Sequence, residues 1–122
     1  GKGAWYPNAP WELRRVVVLE AGPKGSHPYA KRLFYLDAQT YAPLCTLSYN
    51  AQDEFIRLGL IIHGHPDFVP GARGKQVPVP MGATWVSLGQ ESASQFIARK
   101  QTFKNDESPR RYEMMELLRH GK

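Results

Sequence analysis

The sequence has very little cysteine and no long apolar run, and both absences exclude whole classes of protein. Its 122 residues include a single cysteine, Cys45, so the chain forms no internal disulfide and no cysteine-based metal cluster. No run approaches the roughly 18 apolar residues of a membrane-spanning helix. The N-terminal stretch GKGAWYPNAP lacks the charged-then-apolar layout of a secretory signal. A disulfide-stabilised scaffold and a transmembrane helix are therefore not expected.

Sequence signatures of catalysis are also missing. The chain contains no Gly-x-Ser-x-Gly motif, and none of its histidines has a recognisable catalytic partner pattern. The segment GARGK, residues 71–75, lacks the spacing of a phosphate-binding Walker loop and is not followed by Ser or Thr. We expect a protein that is not an enzyme and that carries no cofactor.

One short motif, HGHPD, is the exception and supplies an alternative function. His63, His65 and Asp67 alternate along the chain, and in an extended segment they would lie on one side as ligands of a metal-dependent enzyme. Gly64 and Pro66 interrupt regular extension, and no further nitrogen or sulfur ligand follows nearby. A polar strand end is the favoured interpretation, and no metal site is predicted.

What the sequence does contain is a series of short β-type runs separated by turn residues, typical of a mainly β protein. Hydrophobic residues make up 42% of the chain and charged residues 22%, so a core and a single domain over residues 1–122 are expected. Strands are predicted at residues 12–20, 31–37, 44–50, 54–64, 82–89 and 94–103. Short connections between them predict a curved antiparallel sheet of about six strands.

The end of the chain and its proline-rich middle complete the predicted architecture. Ser108 as a cap, Pro109 in the first turn and Gly121 past the end predict one C-terminal helix, which makes the class α+β. Residues 64–80 hold four prolines and three glycines and predict a long loop of the kind that is often functional. Gly59, inside an alternating apolar strand, predicts a bulge or a bend.

Basic and aromatic residues are interleaved between residues 27 and 50, and the formal net charge is +5. These features favour an anionic partner such as a nucleic acid or an anionic lipid, without choosing between them. The segment KRLFYLD lacks the core of an RNA-recognition signature, so no nucleic-acid partner is predicted. An oligonucleotide-binding β-barrel remains the second alternative, and burial of the aromatics in the core of a curved sheet is the simplest explanation.

Residues 11–57, WELRRVVVLEAGPKGSHPYAKRLFYLDAQTYAPLCTLSYNAQDEFIR, have a familiar order. An Arg-Arg-Val strand ending in Glu-Ala precedes a Pro/Gly loop, then His-Pro-Tyr-x-Lys-Arg and an aromatic strand ending in Tyr-Leu-Asp, with Tyr-Asn where Tyr-Asp is more usual. This order resembles the C-terminal part of an uncharacterised family of Gram-negative envelope proteins. The family is a domain of unknown function described as outer-membrane lipoprotein-sorting-like, and after Gly64 the likeness is loose.

The resemblance implies a fold similar to that of the periplasmic lipoprotein carrier LolA, in which an unclosed half-barrel holds acyl chains on its concave face. The chain would then be a short relative or the C-terminal portion of a longer LolA-like protein. The implied function is a periplasmic carrier or binding module for a lipid, a lipoprotein acyl chain or another hydrophobic ligand. An envelope transporter would be its partner, and exposed sheet edges would allow a homodimer.

The resemblance also implies where a ligand would bind. An apolar ligand-binding face is expected from Phe34, Tyr35, Tyr49, Ile56, Leu58 and Leu60. A basic rim for a phosphate or carboxylate headgroup is expected from Lys31, Arg32 and Arg57.

Overall fold

The computed structural model describes residues 11–99, which form one antiparallel sheet of six strands. The strands are β1 (Val16–Ala21), β2 (Lys31–Asp37), β3 (Pro43–Tyr49), β4 (Phe55–Gly64), β5 (Val79–Ser87) and β6 (Ser92–Ile97). Each strand pairs with its neighbour in sequence, so the order is β1-β2-β3-β4-β5-β6 and the sheet is unclosed. The prediction of a mainly β, antiparallel fold is confirmed.

Helical structure is almost absent from the described range. Its only helical element is a single 3₁₀ turn over Pro66–Phe68. The C-terminal helix predicted after Ser108, like the end of the sixth predicted strand beyond residue 99, lies outside the described residues. Within residues 11–99, no helix is long and apolar enough to cross a membrane.

The side chains of Asp37 and Asn50 close the two hairpins on either side of β3. Asp37 Oδ1 accepts hydrogen bonds from the backbone N–H groups of Gln39 and Thr40, at 2.9 and 2.8 Å. Asn50 Oδ1 accepts from the N–H groups of Gln52 and Glu54, at 3.0 and 2.9 Å. Because Asp and Asn bond their own backbone two residues on, they initiate turns. The sequence predicted both turns, and this chemistry explains why.

The first strand is shorter than predicted, and its partner explains the difference. β1 begins at Val16 rather than at Glu12, and Val16 pairs with Asp37, the last residue of β2. Beyond Asp37 the chain turns away from β1, so no strand pairs with residues 12–15. One backbone hydrogen bond, from the Ala38 N–H to the Arg15 carbonyl, continues past the end of the strand. A strand without a partner leaves its backbone unpaired, and the ladder therefore stops there.

The proline-rich loop also ends earlier than predicted. Val79 and Pro80 already belong to β5, so the predicted loop over residues 64–80 is wrong at its C-terminal end. Pro80 lies opposite His63 where the pairing register shifts, which is a position at which a strand tolerates the missing N–H of proline. The loop contributes Val69 and Ala72 to a small buried cluster with Val79, so part of the loop is a packing element.

Gly59 does not mark a bulge. It pairs regularly with Thr46 on one side and Trp85 on the other, and the register shifts of β4 lie elsewhere. A Cβ atom at this position would come within 2.5 Å of Thr46 Oγ1 and 3.1 Å of Trp85 Cδ1. The glycine is therefore required by the close approach of neighbouring side chains, which the sequence of one strand does not reveal.

Candidate ligand-binding faces of the sheet

Strand alternation and pairing register divide the side chains of the sheet between two faces, because directly opposed residues in neighbouring strands lie on the same face. One of these two faces contains a row in which Leu33 pairs with Leu47, Leu47 with Leu58, and Leu58 with Val86, and we call it the leucine face. An adjacent row on this face joins Tyr35, Cys45, Leu60 and Thr84. The centre of this face is therefore largely apolar over four strands.

The leucine face is only partly covered. Val86 and Thr84 are 1% exposed, whereas Leu33, Leu47 and Leu58 are only half-buried. The described residues include no second sheet and no α-helix that would pack on these leucines. Half-buried apolar side chains in a continuous row are a surface on which an apolar molecule could lie.

Cys45 lies in the middle of this face and reports on it. Its side chain is half-buried beside Tyr35 and Leu60 in the neighbouring strands. Burial raises the pKa of the Cys45 thiol, because the charged thiolate is disfavoured away from water. The thiol is therefore poorly nucleophilic, in keeping with a packing role rather than a catalytic one.

The opposite side, which we call the arginine face, has a different composition. One of its rows crosses all six strands and contains Ala21, Arg32, Ser48, Arg57, Ser87 and Ser92. The next row contains Leu19, Phe34, Thr46, Gly59, Trp85 and Ser94. Charged, hydroxyl and aromatic groups thus share this side of the sheet.

The residues predicted to form one apolar ligand face do not all lie on one face. Tyr35, Leu58 and Leu60 lie on the leucine face. Phe34 lies on the arginine face, because successive side chains of a strand point to opposite sides. Ile56 is half-buried at the β3–β4 register shift, where Tyr49 pairs with Phe55. The prediction combined residues from both faces, since a list of apolar positions carries no register.

The predicted basic rim is likewise divided. Lys31 pairs with Tyr49, and its Nζ lies 4.5 Å from the centre of the Tyr49 ring at the edge of the leucine face. It also forms an ion pair with Asp53 in the β3–β4 turn. Arg32 and Arg57 lie together on the arginine face, on either side of Ser48. The three residues predicted to form one basic rim therefore lie in two separate places.

A cavity of about 350 Å³ lies at the end of the sheet away from Lys31, where β2 and β4 finish and β3 begins. Its lining includes Trp11, Arg14, Asp37, Leu44, Ile61 and His63. Arg14 Nε donates to Asp37 Oδ2 at 2.7 Å, and this bond holds the pKa of the Asp37 carboxyl well below its usual range. Of the residues predicted to bind ligand, only Leu60 reaches this cavity.

The structure places the residues of the HGHPD motif at the end of β4 and in the 3₁₀ turn that follows it. His63, the last residue but one of β4, is half-buried, and burial lowers the pKa of its ring because the charged form is disfavoured away from water. His65 is mostly exposed and caps the 3₁₀ turn, where its Nδ1 accepts from the Asp67 N–H at 3.3 Å. Among residues 11–99, no three His, Cys, Asp or Glu side chains are placed to hold a metal ion. The metal-dependent alternative gains no support.

Several residues that shape the two faces were not singled out from the sequence. They are Leu33, Leu47 and Val86 on the leucine face, and Tyr29 and Ser48 on the arginine face. Alternation within LCTLSY and KRLFYLD places Leu47 and Leu33 on one face of their own strands. Pairing that face with Leu58 required the register, and Tyr29 lies in a loop without any periodic pattern.

Comparison with known proteins places the fold in context. The sheet is similar to a crystal structure from Vibrio parahaemolyticus described as an outer membrane lipoprotein-sorting protein domain, with a TM-score of 0.62 and 14% sequence identity. The match covers 80% of this chain and 40% of that structure, so the chain spans less than half the length of its structural neighbour. At this identity the likeness concerns the fold. No curated protein sequence matched.

The family model extends over nearly the whole chain. It is described as a protein of unknown function, DUF1329, and it matches residues 1–112. That range includes all of residues 11–57, which carry the resemblance seen in the sequence, and all six strands of the sheet. The chain belongs to the DUF1329 family of proteins of unknown function.

Proposed function

We propose that this chain is a non-enzymatic binding module of the bacterial envelope that carries a lipid, a lipoprotein acyl chain or another hydrophobic ligand on its leucine face. The observation that carries the proposal is the half-buried leucine row across β2, β3 and β4. The likeness of the fold to a lipoprotein-sorting domain supports the same interpretation, including a periplasmic location. An envelope transporter would receive the ligand.

The energetics of such binding follow from burial of apolar surface. Each methylene removed from water contributes about 0.8 kcal/mol. An acyl chain lying along the leucine row therefore gains affinity in proportion to its length, after the cost of ordering the ligand. Lys31 at the edge of this face places a positive charge where a carboxylate or phosphate headgroup would sit. Ligands with longer acyl chains should accordingly bind more tightly.

The single cysteine of the chain permits a direct test without any substitution. Oleate bound on the leucine face should cover Cys45 and slow its alkylation by N-ethylmaleimide, measured as mass increase over time. Protein unfolded in denaturant should react at one rate with and without oleate, which controls for effects on the reagent. If folded protein is alkylated equally fast at saturating oleate, the ligand lies elsewhere.

A matched pair of substitutions then distinguishes the two faces. Leu47 and Phe34 are both half-buried and lie in adjacent central strands, but on opposite faces. Leu47→Gln should weaken binding of a fluorescent fatty acid by about tenfold, the equivalent of one or two buried methylenes. Phe34→Gln should leave affinity nearly unchanged. Equal losses in both variants would contradict the assignment of the ligand to the leucine face.

A further inference from the structure

The row of the arginine face that contains Arg32 and Arg57 has an unusual composition of hydrogen-bonding groups. We call its six positions, Ala21, Arg32, Ser48, Arg57, Ser87 and Ser92, the arginine row. Every polar side chain in it is a guanidinium or a hydroxyl, and none is a carboxylate. Guanidinium groups only donate hydrogen bonds, and hydroxyls can donate one each. The row therefore offers many donors and needs acceptors.

Contacts with a loop tyrosine bring the two guanidinium groups together. The Arg32 guanidinium carbon lies 4.5 Å from the centre of the Tyr29 ring. Arg57 Nη1 donates to the Tyr29 hydroxyl oxygen at 2.8 Å. Both arginines thus contact one aromatic side chain, although a full strand separates them in the sheet. Cation–π contact and this hydrogen bond hold both positive charges against the same tyrosine side chain.

Ser48 completes the arrangement between the arginines. It is 2% exposed, and its Oγ accepts from Arg32 Nε at 3.3 Å. Its hydroxyl hydrogen remains available to a further acceptor, because a hydroxyl donates one bond while it accepts others. A buried serine that accepts from one arginine beside a second arginine places an additional donor at the centre of the row.

The charge of this pair is not neutralised within the described part of the chain. In residues 11–99, Arg14 and Lys31 form ion pairs with aspartates, whereas Arg32 and Arg57 form none. Arg57 Nε is buried, and across the same range it has no hydrogen-bond acceptor. A buried donor left unpaired is costly, and the cost is larger for a charged group. An anion seated on the row would supply the acceptor.

We infer that the arginine row is a binding site for a phosphate group. Two guanidinium groups, each able to form paired hydrogen bonds with phosphate oxygens, match the geometry and charge of this anion. Ser48 and Ser87, on either side of Arg57, add hydroxyl donors. The site lies on the opposite side of the sheet from the leucine face, so it does not depend on the proposed hydrophobic ligand. Two sources supply this chemistry: the phosphate of a lipid headgroup and the free phosphate ion.

The test compares variants of the arginine row with a variant of an exposed arginine that lies outside both faces' proposed sites, Arg73. Binding of inorganic phosphate is measured by calorimetry, and binding to phosphatidylglycerol vesicles by flotation. Arg32→Gln and Arg57→Gln should each weaken binding by roughly 10- to 100-fold, as expected for loss of charge-assisted hydrogen bonds. Arg73→Gln removes the same charge from an exposed position in the loop between β4 and β5 and should retain wild-type affinity. Arg57→Lys keeps the charge, loses the paired geometry and should be intermediate.

The probes also identify the source of the phosphate. Arginine-dependent binding of inorganic phosphate assigns a site for the free anion, and arginine-dependent binding of vesicles alone assigns a lipid headgroup. Equal weakening in Arg73→Gln and Arg57→Gln would overturn the inference in favour of net charge. So would the absence of wild-type binding to both probes. Alkylation of Cys45 in the presence of oleate reports separately on the leucine face, so the two proposals fail independently.

A second readout separates binding from a structural role of the arginines. The Arg57 Nε–H resonance in a nitrogen–proton NMR spectrum should shift on addition of phosphate, because the buried N–H gains an acceptor. A purely structural arginine pair would leave this resonance in place, which would also overturn the inference. Circular dichroism of each variant confirms folding, and Arg32→Gln with Arg57→Lys provides the test if Arg57→Gln does not fold.

Discussion

The leucine face and the arginine face are built from the same strands, yet they differ in how their side chains are satisfied. On the leucine face, side chains such as Leu33, Leu47 and Leu58 make no directional hydrogen bonds. Their contribution to stability or to binding depends on how much apolar surface is removed from water. On the arginine face, Arg32, Ser48 and Arg57 are fixed by directional bonds. A tolerant apolar surface and a geometrically defined polar row therefore lie back to back on one sheet.

The largest expected effect is at Gly59, where neighbouring side chains of the arginine face leave no room for a Cβ atom. Gly59→Ala places a methyl group close to Thr46 Oγ1 and Trp85, and it should destabilise the protein by about 1–3 kcal/mol. Gly89→Ala is the matched control, because nothing lies within 4 Å of a Cβ at that turn position. Chemical denaturation measures both. A cost at Gly59 no larger than at Gly89 would mean that this face is as adaptable as the leucine face.

The same prediction can be sharpened by removing the contact rather than adding to it. Thr46→Ala deletes the oxygen that a methyl group at Gly59 would approach. The double variant with Gly59→Ala should therefore be more stable than the sum of the single changes predicts. Strict additivity would place the strain at Trp85 instead.

An intermediate effect is expected on acid stability, and it separates the arginine row from the ion pair between Arg14 and Asp37. The pKa of Asp37 is held below its usual range, first by the hydrogen bond from Arg14 and also by bonds from Thr40 and Gln39. A depressed folded-state pKa stabilises the fold above the unfolded value of about 4, and this stability is lost as the pH falls below it. The melting temperature should therefore fall between pH 5 and pH 3.

Asp37→Asn is the control for that acid dependence. The variant should melt at a lower temperature than the wild type at pH 7, and its melting temperature should change less between pH 5 and pH 3. The arginine row should make no contribution in this range, because it contains no carboxylate. An unchanged acid dependence in Asp37→Asn would assign the effect to other carboxylates.

The smallest effect is expected at Lys31 on the edge of the leucine face. Its partner Asp53 is 74% exposed, and exposed ion pairs contribute little to stability because water and salt screen them. Lys31→Gln should leave the free energy of unfolding unchanged within error in chemical denaturation. A clear loss of stability would show that its contact with the Tyr49 ring is a structural one.

The sequence predicted the elements well, because its signals are local. Alternation in KRLFYLD and EFIRLGLIIHG and the turn residues around Asp37 and Asn50 were sufficient to locate β2, β3 and β4. Where the prediction was wrong, a neighbouring strand decided the outcome. β1 is short because its partner ends at Asp37, and Pro80 enters β5 where the register shifts beside His63.

The candidate sites were predictable only in part, for the same reason. The chain indicated which apolar and basic residues could contact a ligand, and Leu58, Leu60, Arg32 and Arg57 remain in the proposals. Phe34 and Tyr35 are neighbours in β2 but lie on faces for which different roles are proposed. The sequence could not indicate this difference, because the role of a face depends on the strands beside it. The contact of Tyr29 with both arginines joins a loop to two strands and has no local signal.

By itself the sequence determined a mainly β chain with short turns, a modest positive charge, one cysteine and membership of a recognisable family, since these depend on residue type and spacing. Only the tertiary structure decided which side chains lie on the leucine face and which lie on the arginine face. Pairing register sets which side chains of different strands meet, and a shift of one residue would exchange the two faces. Register is fixed by turns and by packing across the whole sheet, and no single segment of the chain contains it.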